Sequence, residues 1–152
     1  MTTLKEKLHQ LEQLNTEHKG DWVADFEKVL ADISTHREPG IIPALLGLLT
    51  DSSEFDEVLF SIVHTIERFP DSVYVAELLR ASEELAQRAP RWAQILYMRA
   101  LNNSSTRAVL SGELVGQPPS TRAAVAALLA SIRSRRPELA AQVDEVAGTL
   151  SA

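Results

Sequence analysis

Residues 54–69, EFDEVLFSIVHTIERF, decide how the rest of the chain is read. Phe55, Val58, Leu59, Ile62, Val63, Ile66 and Phe69 recur at the i, i+3, i+4, i+7 spacing that gathers apolar side chains on one face of a helix. The opposite side carries Glu54, Glu57, Ser61, His64 and Arg68, with Phe60 among them. A helix with a complete apolar stripe on one face and a chemically mixed stripe on the other suggests packing on the first and recognition on the second.

The same period runs outward in both directions, cut by proline, glycine and capping residues. Thr2 or Thr3 caps a first helix to about Asn15, and Asp21 precedes WVADFEKVLADISTHR, with Trp22, Phe26, Val29, Leu30 and Ile33 on one face. Glu38-Pro39-Gly40 breaks that helix before the short apolar run IIPALLGLL at 41–49, where Pro43 is tolerable because it sits in the first turn. Thr50 to Ser53 leads into the helix quoted above, which Phe69-Pro70-Asp71 ends.

Asp71 or Ser72 then caps VYVAELLRASEELAQRA, with Val75, Leu78, Leu79 and Leu85 inward. Pro90 opens RWAQILYMRALNN, with Trp92, Ile95, Leu96 and Leu101 as its apolar set. Ser104 or Ser105 caps a shorter piece to about Val115, and Gly116 to Pro119 reads as a loop. Ser120 leads into TRAAVAALLASIRSRR, and Pro137 opens the last helix, ELAAQVDEVAGTL.

No period-2 run bounded by Asn-Gly or Asp-Gly turns occurs, so the expectation is an all-α fold. The helix–break–helix spacing suggests antiparallel pairs stacked as a short, right-handed HEAT- or armadillo-like solenoid, within a single domain over 1–152. The alternative is a compact orthogonal helical bundle.

Composition bounds the chemistry. The chain has 152 residues, 45% of them hydrophobic and 24% charged, the balance of a soluble globular protein. It has no cysteine, which removes disulfides, thiolate metal sites and cysteine nucleophiles and fits a reducing compartment. The charged N-terminus does not read as a signal peptide, and the longest apolar run, Ala123–Ala130, is far short of the ~20 residues a membrane span needs. The expected location is cytoplasmic, with no membrane contact.

The net charge of −6 is unevenly spread. Residues 1–76 hold six Lys/Arg against fourteen Asp/Glu, whereas residues 77–152 hold nine against seven. An acidic first half repels nucleic-acid phosphates and attracts a basic partner, although ordinary solubility charge is the plainer account.

No Gly-rich phosphate loop, HExxH, EF-hand loop or GxSxG elbow is present. None of His9, His18, His36 and His64 stands one helical turn from another histidine, as a two-histidine metal site on one helix requires. The nearest approach to a catalytic set is Glu57, Ser61, His64 and Arg68 down one helix face, and the plainer reading makes His64 a half-buried side chain bonded to a neighbouring helix. Trp22 and Trp92 fit the core better than an interface. Arg133, Arg135 and Arg136 fit the negative end of their helix better than a phosphate. No enzyme activity, cofactor or metal is expected.

Three stretches, HREPGIIPALLGLLTD, EFDEVLFSIVHTIERF and APRWAQILYMRALNNSSTRAVL, together resemble the immunity protein 30 family of bacterial polymorphic toxin systems over about residues 20–115. The resemblance rests on Pro39 with its following apolar helix, on the spacing of Glu57, His64 and Glu67, and on Ala89-Pro90 and Trp92 with Arg99 and Asn102. It implies a cytoplasmic antidote that binds a toxin domain encoded nearby and neutralises it by occlusion. An acidic half fits a basic nuclease toxin best. The rival reading is a HEAT-like scaffold or adaptor for a peptide or protein subunit. The expected partner-binding residues are Glu54, Asp56, Glu57, Ser61, His64 and Arg68, extended by Asp71.

Overall fold

The computed structural model describes residues 2–150 and, among them, nine α-helices, two short 3-10 turns and no strand. The chain divides into two compact units, Met1–Phe69 and Pro70–Ala152. The division also separates charge: residues 1–69 carry six basic and thirteen acidic side chains, net −7, and residues 70–152 carry nine and eight, net +1.

The first unit contains α1 (Leu4–Glu17), α2 (Trp22–Ile33), α3 (Ile41–Leu46) and α4 (Asp56–Ile66). Thr3 caps α1, its Oγ1 accepting from the Glu6 N–H at 3.1 Å, which satisfies one of the first-turn donors. α1 continues two residues past the expected Asn15 and ends at His18, whose φ of +50° places a non-glycine residue in the left-handed region. That conformation costs an L-residue about 1–2 kcal/mol. It is offset by the ring, which stacks on Trp22 at 4.1 Å and meets the edge of Phe55 at 5.1 Å. Trp22 in turn meets Phe55 and Phe26 edge to face, so the α1–α2 turn is closed by four rings.

Beneath these rings α2 packs on α1, and α4 packs on α2 and α3. Phe26, Ile33, Ile42, Leu45, Leu59, Ile62, Val63 and Ile66 are fully buried. Truncating a buried leucine such as Leu59 to alanine costs about 2–5 kcal/mol. Every residue of the expected α2 stripe is buried, Trp22 included at 5% exposure. The α4 stripe is buried from Val58 to Ile66, but Phe55 and Phe69 are only half-buried. Both lie outside the helix, whose N-cap is Phe55 and whose C-cap is Glu67. Arg68 and Phe69 follow in tight turns, bonding back to Thr65 and Ile66.

The second unit contains α5 (Asp71–Arg88), α6 (Pro90–Asn102), α7 (Ser104–Leu114), α8 (Pro119–Arg135) and α9 (Ala140–Ala147), with 3-10 turns at Pro137–Leu139 and Gly148–Leu150. Within this unit α5 touches α6, α7 and α8, while α9 lies against α7 and α8. A helix surrounded in this way is compatible with a bundle. Tyr97 and Trp92 are its largest fully buried side chains.

Several sequence-derived boundaries move here for local reasons. α5 is capped by Pro70, not by Asp71 or Ser72, and Asp71 becomes its first residue. Asn103 caps α7 in place of Ser104 or Ser105, because its Oδ1 accepts from the N–H groups of Ser105 and Thr106 at 3.1 and 3.2 Å. α8 starts at Pro119 inside the expected loop, since a proline at the first helical position gives up only an N–H that would have no partner there. Ile95, expected in the core, is half-exposed.

Candidate functional site

The polar side of α4 is the chemically distinctive surface of the first unit. Glu57, Ser61 and His64 stand one turn apart along it; Glu57 and His64 are exposed and Ser61 is half-buried. Glu54 precedes the helix, and Arg68 follows it in a turn, so the two ends of the expected stripe lie on flanking loop and not on the helix itself. Asp56 is half-buried in the first turn, where a carboxylate meets the positive end of the helix dipole.

Ser61 has a structural task. Its Oγ donates to Glu27 Oε1 of α2 at 2.7 Å and also lies 3.1 Å from the Glu57 carbonyl. One hydroxyl carries one proton, and the carboxylate, nearer and ionised, is the stronger acceptor. Ser61 therefore ties α4 to α2. Glu27, which brings a carboxylate to the edge of this face, was not among the expected residues. Its only sequence signal is a position beside buried Phe26, which does not distinguish it from any other surface acid.

His64 departs from its plainer reading: it is exposed, and no hydrogen bond joins its side chain to another helix. Its ring centroid lies 6.4 Å from that of half-buried Phe60, one turn back on the same helix. Glu54 and Glu57 make no ion pair or side-chain hydrogen bond among the described residues. They are exposed charges available to a partner. A Glu, an aromatic ring and a His at successive turns make a surface that offers charge, apolar area and hydrogen-bonding nitrogens together.

Asp71 stands apart from this group. It opens α5 in the second unit, where its two carboxylate oxygens accept from Ser105 Oγ at 2.8 Å and Thr106 Oγ1 at 2.7 Å. Those bonds fix the start of α7 against the start of α5. No group of three or more His, Asp or Glu capable of holding a metal occurs among the described residues. No helix among them is long and apolar enough to cross a membrane.

Comparison with family models identifies the class of protein to which these features belong. The model described as immunity protein 30 matches residues 10–110, about two thirds of the chain, and the chain belongs to that family. The match covers α2 to α6 whole, with most of α1 and α7, and so contains the entire polar face of α4. It starts ten residues before the stretch that carries the sequence resemblance and ends five residues before that stretch does. Its partner, as for an immunity protein, is a toxin. No curated protein and no solved structure matches the chain.

Proposed function

We propose that this chain is a cytoplasmic antidote that neutralises its toxin by stoichiometric occlusion, without turnover, using the polar face of α4. The observation that carries this reading is the pair Glu54 and Glu57, which lie within the family match, exposed and without side-chain partners among the described residues, on a unit of net charge −7. A surface of that sign attracts a basic domain and accelerates encounter with it. The toxin is accordingly a nuclease-like basic domain of a polymorphic or contact-dependent system, encoded beside this chain and acting on a cytoplasmic target, because nucleases carry Lys and Arg for phosphate. Asp56, His64 and Arg68 complete the contact, with Ser61 holding α4 in place from below.

The helices of each unit are read as antiparallel pairs, α1 with α2 and α5 with α6, stacked in the manner of a HEAT-like solenoid, with residues 1–152 working as one domain. Short connections between consecutive helices that touch support the pairing.

The test is to co-express the chain with the toxin gene next to it and measure stoichiometry by calorimetry and association by stopped flow. A one-to-one complex whose association rate falls severalfold between about 50 and about 300 mM salt is expected, since the screening length shrinks from about 14 to about 6 Å over that range. A rate independent of salt would remove the acidic-face argument. Failure to protect cells from the toxin would remove the antidote reading.

A further inference from the structure

The second unit carries a groove that the acidic face of α4 does not use. Between α6 and α8 lies a hollow of about 400 Å³ lined by Ile95, Met98 and Ile132 together with Arg91, Arg135 and Arg136. Ile132 is fully buried, Ile95 and Met98 are half-buried, and the three arginines are exposed, so Ile95 and Met98 supply the apolar floor and the rim is cationic. Gln94, on the wall, is held by Ser131 through a 3.0 Å hydrogen bond that joins the two helices beneath the opening.

The charge of the rim survives its surroundings. Arg133, next along α8, is turned away and clamped by Asp144 of α9 through two bonds of 3.0 and 3.3 Å. That pairing raises the Arg133 pKa and holds the Asp144 carboxyl below its usual range. Arg136 reaches Glu138 only at 3.8 Å, an exposed pair of the kind that contributes little, and Arg135 makes no ion pair among the described residues. Arg91 lies with its guanidinium 5.4 Å from the Trp92 ring centroid. The negative end of α8 and the positive end of α6 meet here, each worth about half a charge, and nearly cancel. The guanidinium groups of Arg135 and Arg136 therefore set the local field at this end of the hollow.

We propose that this groove docks an acidic, apolar segment of a protein partner, with leucine- or phenylalanine-like side chains against Ile95 and Met98 and carboxylates against Arg135 and Arg136. The chemistry selects this occupant. A purely ionic ligand leaves the apolar floor exposed, a purely apolar one buries guanidinium groups without acceptors, and a basic segment is repelled. Guanidinium forks match carboxylates in two-bond geometry, which fixes register as well as charge. The segment is thus opposite in sign to the partner of the α4 face. One wall of its groove, α8, lies beyond the residues that match the family, so the groove joins the family's α6 to a part of this chain outside it.

The experiment measures fluorescence anisotropy of three labelled peptides on the full chain: an acidic-apolar Glu/Leu peptide, the same peptide with Glu replaced by Lys, and the same with Leu replaced by Ser. The acidic-apolar peptide should bind at least tenfold more tightly than either of the others. The double variant Arg135→Glu, Arg136→Glu should weaken it at least tenfold, and Ile95→Gln should weaken it without changing the circular dichroism. Equal binding of the serine peptide, with displacement by inorganic phosphate, would show a simple arginine patch and overturn the proposal. So would binding unchanged in the arginine variant, or no binding of the acidic-apolar peptide. Should Ile95→Gln lower the melting temperature, the arginine variant, altered only at exposed positions, still decides the matter.

Discussion

The phenol oxygen of Tyr97 lies 2.5 Å from Ser82 Oγ, and both residues are fully buried. Ser82 Oγ is also 2.6 Å from the Leu78 carbonyl, which can only accept. The single proton of Ser82 therefore goes to that carbonyl, and Tyr97 donates to Ser82. A chain of three groups from α6 into α5 is satisfied in this way. Burial pushes the Tyr97 pKa far above its ordinary value, against the opposing pull of the Ser82 bond.

This pair makes folding sensitive to alkali. An unfolded phenol ionises near pH ~10, whereas the folded one holds its proton well beyond. Above pH ~10 the unfolded state therefore binds fewer protons, and stability, fully present below that pH, falls at up to about 1.4 kcal/mol per pH unit. Urea denaturation between pH 8 and 11 should show this slope, and Tyr97→Phe should reduce it while costing about 1 kcal/mol at neutral pH from the lost hydrogen bond. An identical slope in Tyr97→Phe would assign the alkaline loss elsewhere.

At the α1–α2 turn the left-handed backbone and the ring of His18 act in opposite directions. His18→Ala should destabilise the chain by about 1 kcal/mol, because it loses the aromatic contacts and keeps the unfavourable φ. His18→Gly should cost less, since glycine adopts that φ freely. Chemical denaturation orders the two, and the reverse order would mean that the turn stores no strain.

Asp71 should prove structural. Asp71→Ala removes the acceptor of the buried Thr106 hydroxyl and should cost about 1–3 kcal/mol. Asp71→Asn keeps an acceptor and should recover part of that loss. A melting temperature unchanged in Asp71→Ala would return this carboxylate to the pool available for a partner.

Glu54 and Glu57 are the opposite case. Reversing both to lysine should change stability by about 1 kcal/mol or less, since both are exposed and only Glu57, in the first turn of α4, meets the helix dipole. Toxin association should slow, most of all at low salt. If either pairs with a buried toxin arginine, dissociation should also quicken, at a cost of about 2–5 kcal/mol. Lower stability with unaltered affinity of the folded fraction would remove α4's polar face from the site.

These contrasts mark what the residue pattern makes legible. Periodicity located each α-helix and the buried stripes of α2, from Trp22 to Ile33, and of α4, from Val58 to Ile66, because burial follows the 3.6-residue repeat directly. It went astray where a side chain's partner lies far off in sequence. Asp71 resembled a helix cap, yet its acceptors serve Ser105 and Thr106, more than thirty residues on. Ser61 looked like a surface hydroxyl, but Glu27 takes its proton. Ile95 fits the apolar stripe of α6, and only the placement of α8 leaves it half open. The polar face of α4 was legible as a face, since an apolar stripe defines its complement, while the trimming of Glu54 and Arg68 from the helix ends was not.

Each compact unit holds one tryptophan, Trp22 at 5% exposure and Trp92 fully buried, and the chain has no others. The protein thus carries an intrinsic optical reporter in each half. Single-tryptophan versions would let the emission of each half be followed alone during denaturation. Coincident curves would describe one cooperative body; separated ones would describe two halves that melt in sequence, and would reveal which of them a bound toxin holds together.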